Sequence, residues 1–217
     1  HMTFTLKHIP AVMLGMSISV ATFAAYGPMP AQHASTGPWT LSVGYGQTFD
    51  HDKAFYGDTP AGESARIDNN LTMDHVNLYE VDVFHHSGFG AVLMGAAKKA
   101  KITQQANSVS TDLARYTFKA LMLAYKMNMN QDITARIAVG QADQKYTMVV
   151  SGIDHKLNNK MAANIEAKYH FKLGRNMKAF IAGGYLSLED IHKVIATNTL
   201  KMDPSAGYVK VGLHFEL

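Results

Sequence analysis

No cysteine occurs among the 217 residues, so disulfides, thiolate metal sites and a cysteine nucleophile are excluded. The absence also suits a chain that crosses an oxidising compartment. Charge is sparse: 17% of residues are Asp, Glu, Lys or Arg, below the usual quarter, and the net formal charge is only +3. The basic residues are dispersed, and no Lys/Arg-rich run interleaved with aromatics appears, so nucleic acid is not an expected partner. No apolar run reaches the length of a membrane-spanning helix, and the mean hydropathy is near zero. That value argues against a helical membrane protein. It does not exclude a barrel, in which alternation averages hydropathy away.

What is present is alternation. Gly207–Leu217 places Val209, Val211, Leu213, Phe215 and Leu217 on one face, and Tyr208, Lys210, Gly212, His214 and Glu216 on the other. A soluble sheet would cover the apolar face with a second layer. A transmembrane barrel turns it to lipid and keeps charge in the lumen. Trp39–Tyr45 alternates in the same way, as does Ile133–Val139. The longest such set is Met161, Ala163, Ile165, Ala167, Tyr169, Phe171 and Leu173 against Ala162, Asn164, Glu166, Lys168, His170 and Lys172.

Eight strands are predicted: 39–45, 71–86, 91–105, 112–128, 133–139 with an extension over 146–150, 161–173, 178–188 and 207–217. Short turns at 87–90, 130–132 and 174–176 alternate with polar loops at 50–70, 152–159 and 189–198. A bulge or change of face is expected near Leu121-Met122-Leu123, where the phase blurs. The fold class is therefore all-β: an eight-stranded antiparallel up-and-down transmembrane barrel over 38–217. A soluble lipocalin-like barrel is the second reading.

Residues 1–25 read as a cloning remnant, His1-Met2, followed by a secretory signal peptide. An extra strand is the alternative there, since Leu14, Met16, Ile18 and Val20 also alternate. Residues 26–37 form a Pro/Gly/Ala-rich extension.

Leu41-Ser-Val-Gly-Tyr-Gly46, Phe180-Ile-Ala-Gly-Gly-Tyr185 and Gly207–Phe215 resemble strands of the small eight-stranded bacterial outer-membrane proteins of the OmpA, OmpX and OmpW type. Leu200–Pro204 is similar to the approach to the last strand in the OmpW family. The resemblance implies a monomer in the outer membrane that contacts lipid and lipopolysaccharide and meets the barrel-insertion machinery during assembly. Its role would be envelope anchorage, adhesion, or narrow passage for small molecules, apolar ones included. One departure is the end, Phe215-Glu216-Leu217, where such proteins usually finish on an aromatic residue: either Leu217 substitutes for it, or residues have been trimmed.

The lumen of an eight-stranded barrel is just wide enough to be filled by side chains, so its charges must pair. The residues expected there are Glu80, Asp82, Lys99, Lys101, Arg115, Lys119, Arg136, Glu166, Lys168, His170, Lys210 and Glu216. Trp39, Tyr45, Tyr169, Phe171 and Phe215 are expected at the membrane interfaces. Some small barrels are lipid-modifying enzymes that act on lipid A or phospholipid, and Ser42, His214 and Glu216 are the residues that chemistry would use here. The non-enzymatic reading is preferred, with no cofactor. The eleven histidines and thirteen methionines show no metal-ligand spacing, since His85 and His86 point to opposite faces.

Overall fold

Residues alternating about a strand axis can hide every backbone polar group only by closing on themselves, and this chain does so. The computed structural model describes residues 37–49, 54–58, 70–106, 109–149, 151–195 and 198–217. The expected signal peptide, the expected extension up to residue 36 and most of the expected 50–70 loop lie outside these.

The described strands are β1 (Trp39–Phe49), β2 (Ala54–Asp58), β3 (Asn70–Met73), β4 (Asn77–His85), β5 (Phe89–Ala96), β6 (Ala100–Ala106), β7 (Val109–Asn128), β8 (Ile133–Met148), β9 (Asp154–Lys172), β10 (Met177–Leu188), β11 (Ile191–Ile195), β12 (Asn198–Met202) and β13 (Ala206–Glu216). Eight of them form a ring in which every pair is antiparallel: β1, β4, β5, β7, β8, β9, β10, β13 and back to β1. The β7–β8 ladder closes it. The remaining five continue the ring at one end, in the order β11, β12, β2, β3, β6, with β6 paired to the upper part of β7.

The opposite end has three short turns. At the first, Gly88 adopts φ +92°, and a Cβ there would stand 2.7 Å from the Lys126 carbonyl oxygen. Glycine alone takes that conformation and approach without strain. At the second, Asn130 Oδ1 accepts from the amides of Asp132 and Ile133 at 2.8 and 2.7 Å, an Asx turn. The third spans 173–176. Leu217 N donates to Trp39 O at 2.9 Å, joining the last strand to the first at the same end. Short turns mark the periplasmic end of such barrels, which puts the β2, β3, β6, β11 and β12 extensions on the outside of the cell.

Several boundaries differ from the expectation. β9 begins at Asp154, inside the expected loop. The expected 189–198 loop contains β11. No bulge interrupts β7 at Leu121–Leu123: Ala120, Met122 and Ala124 stay inward while Leu121 and Leu123 stay outward. The register shifts instead lie at Ile102/Thr103 and at Ala142/Gln144. The second sits opposite Asn159, at φ +56°, whose amide donates to Asp143 Oδ1 at 3.1 Å. Asn tolerates that left-handed conformation better than most residues, so it can carry the extra residue of the bulge.

The outer wall is apolar over a limited height. Val43, Val81, Val83, Leu93, Leu121, Leu123, Ile137, Val139, Ile181, Val209, Val211 and Leu213 are all exposed there. Trp39, Phe89, Tyr125, Tyr169 and Phe171 edge this belt on the periplasmic side, with Phe215 half-buried among them. Tyr45 and Tyr185 edge it on the other side, and Tyr79 lies directly opposite Tyr45 across the β1–β4 ladder. Above it the outer wall turns polar, with Gln47, Lys119, Gln141 and Glu189 exposed. An exposed apolar band between aromatic girdles is the surface a bilayer requires.

Candidate functional site

The inward positions nearest mid-height carry six charges that neutralise one another. Glu80 and Asp82 come from β4, Arg136 from β8, Glu166 and Lys168 from β9, and Lys210 from β13; all are 5% exposed or less. Arg136 donates to both carboxylate oxygens of Glu80 at 2.9 and 2.7 Å, to Asp82 at 3.2 Å and to Asn164 Oδ1 at 2.7 Å. It lies 3.1 Å from Glu166. Lys168 bonds Asp82 and stands 3.3 Å from Glu80 and 3.5 Å from Glu166. Lys210 joins Glu80 to Glu166, the latter at 2.5 Å. The Tyr208 hydroxyl donates to Glu166 at 2.5 Å and accepts from Asn164 Nδ2 at 2.8 Å. A neutral, multiply bonded cluster is the form in which charge survives desolvation.

Below this hub the periplasmic chamber is polar. Ser42 Oγ and His214 Nδ1 are 3.0 Å apart, and Thr134 Oγ1 and His170 Nε2 are 3.1 Å apart. The two imidazoles meet edge to face at 5.1 Å. Lys126 donates to Thr40 Oγ1 at 3.0 Å and stands over the Phe84 ring. Phe180 packs over two glycines of the wall: a Cβ on Gly212 would meet its ring at 2.5 Å, and one on Gly44 at 3.2 Å.

Above the hub the chamber is apolar. Leu78, Val92, Met94, Ile102, Phe118, Met122, Met148, Leu186, Leu188 and Ile191 belong to one buried cluster. Tyr116 donates to Gln144 Oε1 at 2.8 Å, and Gln144 donates to the Glu189 carbonyl at 2.9 Å. Burial pushes the Tyr116 phenol up and that of Tyr146 up to about 12. At the rim, Glu189 takes a bond from Lys160 and one from the Met161 amide, which hold its carboxyl below the usual range.

Of the residues expected in the lumen, Glu80, Asp82, Arg136, Glu166, Lys168 and Lys210 meet in the hub. His170 lies just below it, and Glu216 is half-buried near the mouth, 2.9 Å from Lys178. Lys99, Lys101, Arg115 and Lys119 are elsewhere: all four are exposed, Lys99 on the bend before β6 and the others on the outer wall above the apolar belt. Lys101 pairs there with Asp112 at 3.3 Å. Charge on an outward phase is costly only at lipid depth, so an outward lysine above the belt looks in sequence like an inward one within it. Sequence reasoning also missed Asn164, Tyr208, Lys126 and Phe180. Asn164 and Tyr208 sit two residues from Glu166 and Lys210 on the same face, a signal that was there to use.

Ser42 and His214 are brought together, but Glu216 is held by Lys178 and makes no bond with His214 among the described residues. Nor do three His, Asp or Glu side chains there converge on a point that would hold a metal ion.

Neither a scan against protein-family models nor a search of curated proteins returned a match. Solved structures do match. The outer-membrane protein OprG of Pseudomonas aeruginosa superimposes with a TM-score of 0.55 at 12% identity, over 82% of this chain and 94% of that one. This is the fold of a bacterial outer-membrane barrel. Neisserial surface protein A gives 0.46 at 8% identity, over 82% and 96%, and the outer-membrane protein AlkL gives 0.46 at 14%, over 88% and 97%. Together with the apolar belt and its aromatic girdles, the fold places the chain in the outer membrane.

Proposed function

We propose that this barrel is a non-enzymatic envelope protein whose extracellular chamber takes up small apolar molecules. The observation that carries the reading is the division of the lumen at the hub. Above it, the inward residues of β4, β5, β7 and β10 include Leu78, Val92, Met94, Met122, Leu186 and Leu188, which belong to one buried apolar cluster, and such surroundings favour an apolar solute over water. At the hub, six buried charges pair with one another across the lumen, which argues against general diffusion of ions along the axis. The engagement of Glu216 by Lys178 leaves His214 without the third group that a serine hydrolase uses to orient its base, and this supports the non-enzymatic reading.

The test uses the full chain in neutral detergent, labelled at the methionine methyl carbons and titrated with octane. Inward Met94, Met122 and Met148 should shift saturably, while outward Met161 and Met177 should follow only the linear drift of the micelle. Equal linear drift at both sets sinks the proposal.

A second reading, adhesion, is favoured by the charged outer wall above the belt. There Lys145 and Asp154 pair at 2.5 Å, and Arg115, Lys119 and Lys156 are exposed.

A further inference from the structure

The periplasmic chamber holds more positive charge than it can answer. Lys126, Lys172 and Lys178 are on inward phases of β7, β9 and β10 between the hub and the mouth, and Glu216 is the inward carboxylate among them. Lys172 and Lys178 are directly opposite each other across the β9–β10 ladder, an arrangement of like charges that destabilises a sheet unless a counter-charge answers it. Glu216 answers only Lys178. Lys126 enters no ion pair among the described residues, and Asp82 and Glu216 are bonded to other cations. Its own contacts are a threonine hydroxyl and a phenylalanine ring, neither of which carries charge. Asp132, on the adjoining turn, is exposed and enters no ion pair among the described residues.

The surrounding groups are suited to donate. His170 is 94% buried, bonds Thr134 through Nε2, and leaves Nδ1 buried without a partner. A buried polar atom with no partner is rare and calls for an explanation, such as a ligand. Ser42, paired with His214, lines the same chamber, and a hydroxyl or imidazole can turn its proton toward an acceptor.

We infer that the periplasmic chamber binds one small oxyanion, a phosphate or carboxylate group, held by Lys126 and flanked by His170 and the Ser42–His214 pair. Lys126 supplies the charge, Lys172 and Lys178 attract the anion through the mouth, and the orphaned His170 nitrogen gains a partner. The group arrives either on a free ion or at the end of a lipid of the periplasmic leaflet. This site is separate from the apolar chamber above the hub and does not depend on it.

The experiment follows the His170 and His214 ring carbon signals of the full chain by NMR, in uncharged maltoside, as inorganic phosphate is added at constant pH and ionic strength. Saturable shifts at both rings are expected. They should be lost in Lys126→Gln and retained in Lys126→Arg. A parallel sample in nanodiscs of phosphatidylcholine, compared with phosphatidylglycerol, separates the sources. Shifts caused by phosphatidylglycerol without added phosphate assign the lipid headgroup, and shifts with phosphate alone assign the free ion. Linear, unsaturable drift in the wild-type protein, or an unchanged response in a Lys126→Gln barrel that still migrates as folded on an unboiled gel, overturns the inference. Should that variant not fold, the wild-type phosphate titration decides by itself.

Discussion

Arg136 on β8 and Glu80 on β4 grip each other across the lumen by two hydrogen bonds of 2.7 and 2.9 Å, although two other strands of the wall lie between theirs. The bidentate geometry is the strongest a guanidinium and a carboxylate make. Removing one partner strands the other in a buried site, so Arg136→Ala should lower unfolding stability by about 3–5 kcal/mol. Urea titration followed on unboiled gels reads this as an earlier loss of the fast-migrating band. An unchanged midpoint would mean that water already screens the hub.

Leu123 lies 76% exposed near the middle of the apolar belt, whereas Lys119, two outward positions higher on β7, lies above it. Leu123→Arg should cost roughly 2–4 kcal/mol and Lys119→Leu nearly nothing. Refolding yield into lipid vesicles distinguishes them. Equal losses would show that the lipid boundary has been drawn at the wrong height.

Gly212 and Phe180 share one space, since a Cβ on the glycine would reach the ring at 2.5 Å. Gly212→Val should destabilise the barrel by about 1–3 kcal/mol through overpacking. The double variant with Phe180→Ala should recover part of the loss. Additive losses in a double-mutant cycle would refute the shared-space argument.

Glu189 at the rim is held in its ionised form by Lys160 and by the Met161 amide. Because its folded pKa is lowered, the contribution is present above the unfolded value and is lost as the pH falls through the folded one. The carboxylate is well exposed, so the gain is below about 1 kcal/mol. The Met161 amide proton signal should move with a midpoint below the ordinary glutamate range, and Glu189→Gln should abolish that movement.

The fold was largely legible because two-residue alternation survives without interruption in β1, in β9 beyond its bulge at Asn159, and in β13. Membership of the hub was legible where charge and alternation agree, as at Glu166, Lys168 and Lys210. It was not legible on β7. There the outward face carries Arg115 and Lys119 above the lipid, while the inward face carries Tyr116, Phe118 and Met122, so the usual link between charge and lumen is reversed. Height along the barrel axis decides which rule applies, and a single strand does not state its height. The Ser42–His214 contact was legible because β1 and β13 must meet when the ring closes. The capture of Glu216 by Lys178 was not, since it depends on which rotamer of a long side chain finds which partner.

The hub ties β4, β8, β9 and β13 to one another through the centre rather than along the wall. Mechanically it works like the hub of a spoked wheel. A load that tries to flatten the cylinder is carried at mid-height by short ionic spokes, while above it side chains such as Met94 and Leu188 hold the wall apart chiefly by packing. Pulling the chain out of a membrane from either terminus should therefore meet its greatest resistance when β13 or β4 is extracted, because either strand must give up Lys210, or Glu80 and Asp82, before it leaves.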